Sequence, residues 1–131
     1  MKTKLFIIPL FCLPFFSFAQ PSGMLCKKPQ ELVLGEERDC IYIGTLSQAF
    51  YTLGAKLPLW HPFLKHGLSE KNAVFEDYIE SDGTKEKVIY EIEWKERNTV
   101  TVQACVDQTD NCSAATFRQS GDRILIKLYE S

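Results

Sequence analysis

From Val74 almost to the C-terminus, apolar and polar residues alternate with a period of two, as in antiparallel strands with one face in a core and the other in water. Asp82-Gly83 lies inside this stretch and is a hairpin signal, because a type I′ turn needs positive φ at both central residues. Pairing outward from it sets Glu80 opposite Lys85, Tyr78 opposite Lys87 and Phe75 opposite Tyr90, so that charges match and aromatic rings meet. In the next strand Val88, Tyr90, Ile92 and Trp94 face one way, and Glu91, Glu93 and Lys95 the other. Val100, Val102, Ala104 and Val106 then face the core. Trp94 and Val102 share a side only if an odd number of residues links the strands, and Arg97-Asn98-Thr99 supplies three. The same parity puts Cys105 on the outer face. A disulfide from Cys105 back to Cys112 keeps Ala115 and Phe117 pointing inward, followed by Ile124, Ile126 and Leu128. The pattern predicts five strands, at 74–80, 85–96, 100–106, 113–118 and 123–130.

Upstream the period changes. Thr45-Leu46-Ser47-Gln48 has capping-box spacing, and Leu46, Ala49, Phe50 and Leu53 fall at i, i+3, i+4 and i+7, which predicts a short helix with one apolar stripe. Gly54 offers a left-handed stop. The following LPLWHPFLKHG, Leu57 to Gly67, carries two prolines that preclude a continuous helix, and it crowds Leu59, Trp60 and Phe63 into an aromatic loop. Ser69 to Asn72 suggests one more helical turn. Residues 20–39, interrupted by Pro21, Gly23, Pro29 and Gly35, read as an irregular arm with one short strand at Leu32 to Leu34. The expected fold class is therefore α+β: a short helix packed on one face of a five-stranded antiparallel meander, with an irregular, disulfide-tied N-terminal arm. That order of elements resembles several small exported folds, cystatin-like and β-lactamase-inhibitor-like domains among them. The resemblance covers architecture only and transfers no residue.

Residues 1–19 read as a secretory signal: Lys2 and Lys4, then a short apolar run with Pro9 and Pro14, then Ser17-Phe18-Ala19 as a small-x-small cleavage site. The run is too short and too broken to span a bilayer. The signal resembles bacterial ones, which implies a periplasmic or extracellular protein, with 20–131 as a single small domain. Lys2 and Lys4 leave with the signal while all seventeen acidic residues stay, so a chain of formal charge −2 becomes more acidic on export. That balance disfavours nucleic acid and anionic membrane as partners.

Cys12 lies within the signal. Cys26, Cys40, Cys105 and Cys112 remain, an even number in an exported chain, and read as a disulfide framework. Three pairings are open; strand parity favours the local one, Cys26 with Cys40 and Cys105 with Cys112. Zinc is the rival use of these thiols, but the chain has no C-x-x-C pair, and both histidines are distant from the cysteines in sequence.

Little else points to chemistry. His61 and His66 are five apart, whereas two ligands on one helix face are three or four apart. There is no G-x-S-x-G elbow, and the clustered carboxylates alternate toward solvent, where nothing raises their pKa for acid catalysis. No cofactor is expected and no catalytic set is assigned. Two features suit binding. One is the aromatic loop, with Trp60, His61, Phe63 and His66, where proline stiffness limits the entropy lost on docking. The other is the polar outer sheet face of Glu91, Glu93, Thr101, Gln103, Lys127 and Tyr129. The leading expectation is a non-catalytic exported binding protein of inhibitor or immunity type, acting on another exported or envelope protein. A small hydrolase or metal-assisted enzyme using His61 or His66, and a structural subunit of an envelope assembly, are the alternatives.

Overall fold

The meander read from the sequence is present strand for strand, but three further strands precede it. The computed structural model describes residues 23–131, without the side chain of Ser81, so the expected secretory signal at 1–19 and Cys12 lie outside the described residues. The described chain runs β1 (Met24–Cys26), β2 (Gln30–Leu32), β3 (Gly35–Ile43), α1 (Leu46–Gly54), a 3₁₀ turn (Pro58–Trp60), α2 (His61–His66), β4 (Ala73–Ser81), β5 (Thr84–Glu96), β6 (Thr99–Val106), β7 (Cys112–Ser120) and β8 (Arg123–Glu130). The eight strands form one antiparallel sheet in the order β1-β3-β8-β7-β6-β5-β4, with β2 also paired to β3. This corrects the expected five-stranded meander with an irregular arm. The arm is itself a sheet, and it joins the meander because β3 pairs along its length with the last strand, β8. The expected strand at Leu32 to Leu34 is displaced, since β2 ends at Leu32 and Val33-Leu34 form a turn.

The register within the meander follows the alternation. Asp82 and Gly83 have φ of 52° and 76°, as a type I′ turn requires. Glu80, Tyr78 and Phe75 lie opposite Lys85, Lys87 and Tyr90, and the Phe75 and Tyr90 rings stack at 5.0 Å. The odd residue between β5 and β6 is placed differently from expectation. The turn is the two residues Arg97-Asn98, and the extra residue is Lys95, in a bulge between Trp94 and Glu96. Trp94 thus still faces inward beside Val100 and Val102. It lies beyond the start of β4, so the backbone carbonyl of Ser69 accepts its indole N–H (2.9 Å) and Asn72 Oδ1 accepts its backbone N–H (2.8 Å). Ser69 to Asn72 is this irregular cap rather than a helical turn. Trp94→Ala is expected to destabilise the fold by about 2–3 kcal/mol, somewhat below the range for a fully buried tryptophan because the ring is only half-buried. Glu93, which pairs with the exposed Lys95 at 3.2 Å, is expected to change stability by less than about 0.5 kcal/mol on replacement by alanine. Urea unfolding of the two variants checks the register; equal losses would contradict it.

Helix α1 starts on the capping box: Thr45 Oγ1 accepts from the Gln48 backbone N–H at 3.1 Å, and Gln48 Oε1 accepts from the Thr45 N–H at 3.0 Å. Its stripe of Ala49, Phe50 and Leu53 is buried as expected. Gly54 does not end the helix in a left-handed conformation; the chain continues through Ala55 in a right-handed one. What glycine provides there is proximity, because the Leu64 methyl of α2 lies 2.8 Å from where a Cβ would stand. The core forms where α1, the 3₁₀ turn and α2 cover the inner sheet face, with Phe50, Trp60 and Phe63 against Tyr90, Phe117, Val102 and Ile124.

Both disulfides are local and join directly opposed residues. Cys26 faces Cys40 across β1 and β3, and Cys105 faces Cys112 across β6 and β7, with Cα atoms 4.0 and 4.1 Å apart. This is the parity-favoured pairing, and bonds of this kind are compatible with an oxidising, exported location. Among the described residues no helix is long and apolar enough to cross a membrane.

Candidate functional site

The aromatic loop is core, which corrects the expectation that it faces a partner. Trp60 and Phe63 have no exposed surface. Phe63 packs edge-on to Tyr90 at 4.6 Å and to Phe50 at 5.5 Å, and Trp60 lies 5.4 Å from Phe63. The Tyr90 hydroxyl donates to the Leu59 carbonyl at 2.8 Å, tying the 3₁₀ turn to the sheet, and burial pushes that phenol well up from its ordinary value. The segment is not a loop but two short helical pieces, because Pro58 and Pro62 each stand near a helix start, where a missing N–H costs nothing.

His61 and His66 remain exposed at opposite ends of α2. Five helical residues separate them by about 7.5 Å along the axis and about 140° around it, so they do not converge on one ligand. Among the described residues no group of His, Cys, Asp or Glu could hold a metal ion. His66 instead tilts over Phe75 with ring centroids 4.0 Å apart, and its Nε2 lies 3.4 Å from Asp77 Oδ2. Asp77 points inward from the edge strand β4. The Tyr78 backbone N–H, 2.7 Å away, holds its carboxyl below the ordinary 3.8, against partial desolvation and with help from His66 and Lys65. An edge strand with an inward carboxylate and an N–H already occupied resists pairing with another chain.

The stability carried by a carboxylate with a depressed folded pKa is present above its unfolded pKa and lost as pH falls through the folded value. Wild type is therefore expected to lose more stability than Asp77→Ala as pH drops below 3.8. Urea unfolding at about pH 5 and about pH 2.5 measures this difference; identical losses would show that the Asp77 contacts do not persist in solution.

The second expected surface does share the outer face, but most of its polar groups are already engaged within the chain. Thr101 and Thr116 hydroxyls are 3.0 Å apart, Glu93 pairs with Lys95, and Gln103, opposite Glu91, donates to the Cys105 sulfur. Lys127 sits 3.0 Å from Asp39 and 4.0 Å from Glu37, and Asp39 raises its pKa. Tyr129 donates its hydroxyl to the Leu34 carbonyl at 3.3 Å. That last bond leads to the feature the sequence reading missed.

The β2–β3 hairpin carries two large aliphatic side chains at its tip, Val33 and Leu34, which are 98% and 78% exposed, beside the partly exposed Leu32. Both turn residues keep negative φ, so no left-handed glycine or asparagine marks the turn. Gly35 follows because the Glu130 carbonyl and Ser131 Cα of the neighbouring chain leave no room for a Cβ. The Cys26–Cys40 bond closes the base of the hairpin, and the Tyr129 hydroxyl holds its tip. Below the tip, Glu31, Glu36 and Glu130 face one another in a row across β2, β3 and β8. Like charges directly opposed on a sheet repel. Two cues in the sequence pointed here: the apolar Leu32-Val33-Leu34 inside an otherwise charged arm, and Cys26 and Cys40 on either side of it.

No family model, curated protein or solved structure matches the chain.

Proposed function

We propose that this is a small exported binding protein of inhibitor or immunity type, periplasmic or extracellular, that docks its β2–β3 hairpin tip into another exported or envelope protein. The observation that carries the reading is the exposure of Val33 and Leu34 on a turn braced by a disulfide. Apolar side chains held out on a pre-formed turn lose little conformational entropy on docking, and such anchors dominate interface energetics. The carboxylate row of Glu31, Glu36 and Glu130 asks for a cationic rim around the receiving pocket, since a partner's Lys or Arg relieves their mutual repulsion.

A photoreactive residue placed at Leu34 in cells that export the protein tests this reading. Crosslinking of one discrete protein from Leu34, and not from Thr101 on the polar outer face, is the expected result. Crosslinking from Thr101 with none from Leu34 would move the interface to that face.

A further inference from the structure

We propose that the outer sheet face carries a second site, independent of the hairpin, which binds a free single-chain fatty carboxylate along the row Leu25, Ile41, Leu125 and Arg118. The register puts these residues in one line across β1, β3, β8 and β7, since Leu25 is opposite Ile41, Ile41 opposite Leu125, and Leu125 opposite Arg118. At about 4.8 Å per strand the line is about 14 Å long, three aliphatic side chains ending in a guanidinium. Leu25 and Ile41 are 62% and 38% exposed, and the row floors a groove of about 630 Å³, within the range of small-molecule sites.

Charge sets the polarity of the ligand. Lys27, Asp39, Arg118 and Lys127 are the ionisable side chains that line the groove. Asp39 and Lys127 satisfy each other at 3.0 Å, which leaves Lys27 and Arg118 as positive charge in a chain that is negative overall. Among the described residues the Arg118 side chain makes no hydrogen bond or ion pair, so its fork is free to take a carboxylate through two parallel N–H bonds. Width sets the number of chains. The row is flanked on one side by Lys27, Asp39, Lys127 and Thr116 and on the other by Ile43, Arg123 and Ser120, so the apolar strip widens to two side chains only at β3, where Ile43 lies beside Ile41. That suits a single acyl chain with its head at Arg118, and not the broad apolar area that a bilayer surface would need.

Titration calorimetry of the exported, disulfide-bonded protein with dodecanoate, kept below its micelle concentration, tests the site. Saturable one-to-one binding is expected, with at least about tenfold weaker binding of dodecyltrimethylammonium, which has the same chain and the opposite charge. Arg118→Glu is expected to weaken dodecanoate binding by at least about tenfold, and Leu25→Asp to remove it. Both replaced side chains are exposed, and an unchanged far-UV spectrum and melting temperature would show that the fold is retained. Absence of dodecanoate binding, equal binding of the cationic amphiphile, an unchanged affinity in Arg118→Glu, or binding only to vesicles of anionic phospholipid would each overturn the proposal. None of these outcomes bears on the hairpin, which lies on other residues.

Discussion

Trp60→Ala is expected to lower the free energy of unfolding by about 3–5 kcal/mol in urea denaturation, the largest effect of any single side chain. Trp60 is fully buried between the helical layer and the sheet, with ring centroids 5.4 Å from Phe63, 5.9 Å from Phe50 and 6.4 Å from Phe117. Truncation to alanine opens a cavity that three aromatic neighbours, themselves wedged against β5 and β7, cannot collapse to fill. Its indole N–H has no hydrogen-bond partner among the described residues, so packing alone holds the ring. Trp60→Phe removes that unsatisfied donor and keeps an aromatic ring but leaves a smaller cavity, and is expected to cost less than Trp60→Ala. A Trp60→Ala protein that unfolded at the wild-type urea midpoint would place the ring outside the core.

Replacing Cys26 and Cys40 together by alanine is expected to cost about 2–4 kcal/mol, because the bond closes a loop with a sequence separation of 14 and its loss frees the unfolded chain. The damage should be local. β1 is three residues long and pairs with β3, so hydrogen exchange is expected to rise most in β1 and the hairpin arms, while β5 to β7 lose no more protection than the global destabilisation accounts for. Loss of the brace also lets the hairpin sample other conformations, so binding through its tip should weaken although no contact residue has changed. An unchanged unfolding midpoint in the double variant would show that strand pairing alone fixes the hairpin.

The meander was legible in the sequence because its signals are local. A single Asp82-Gly83 turn sets the register, alternation propagates it, and each strand pairs with the next. β3 gave no such signal. Its sequence GEERDCIYI places Glu36 and Arg38 on the same face as Cys40 and Tyr42, and Glu37 and Asp39 beside Ile41 and Ile43, so charge masks the alternation. Its main pairing, with β8, joins residues from opposite ends of the domain, which no local window reports. The β2–β3 turn was missed for a related reason: Val33-Leu34 resembles the middle of a strand, and only the geometry of its neighbours makes it a turn. The aromatic loop is the converse case. Trp60 and Phe63 carry the residue types of an interface anchor, and the docking of α2 onto the sheet, a tertiary event, decides that they are core.

The affinity of the purified protein for the partner recovered from Leu34, compared between wild type and Leu34→Asp, tests the hairpin reading most directly. Leu34 is 78% exposed, so the substitution should leave the melting temperature unchanged. It should weaken binding by at least about 2 kcal/mol, roughly thirtyfold, while Gln103→Ala on the polar outer face stays within about 0.5 kcal/mol of wild type. Wild-type affinity in Leu34→Asp, with the loss appearing instead in Gln103→Ala, would contradict the hairpin as the anchor and assign the interface to the outer sheet face.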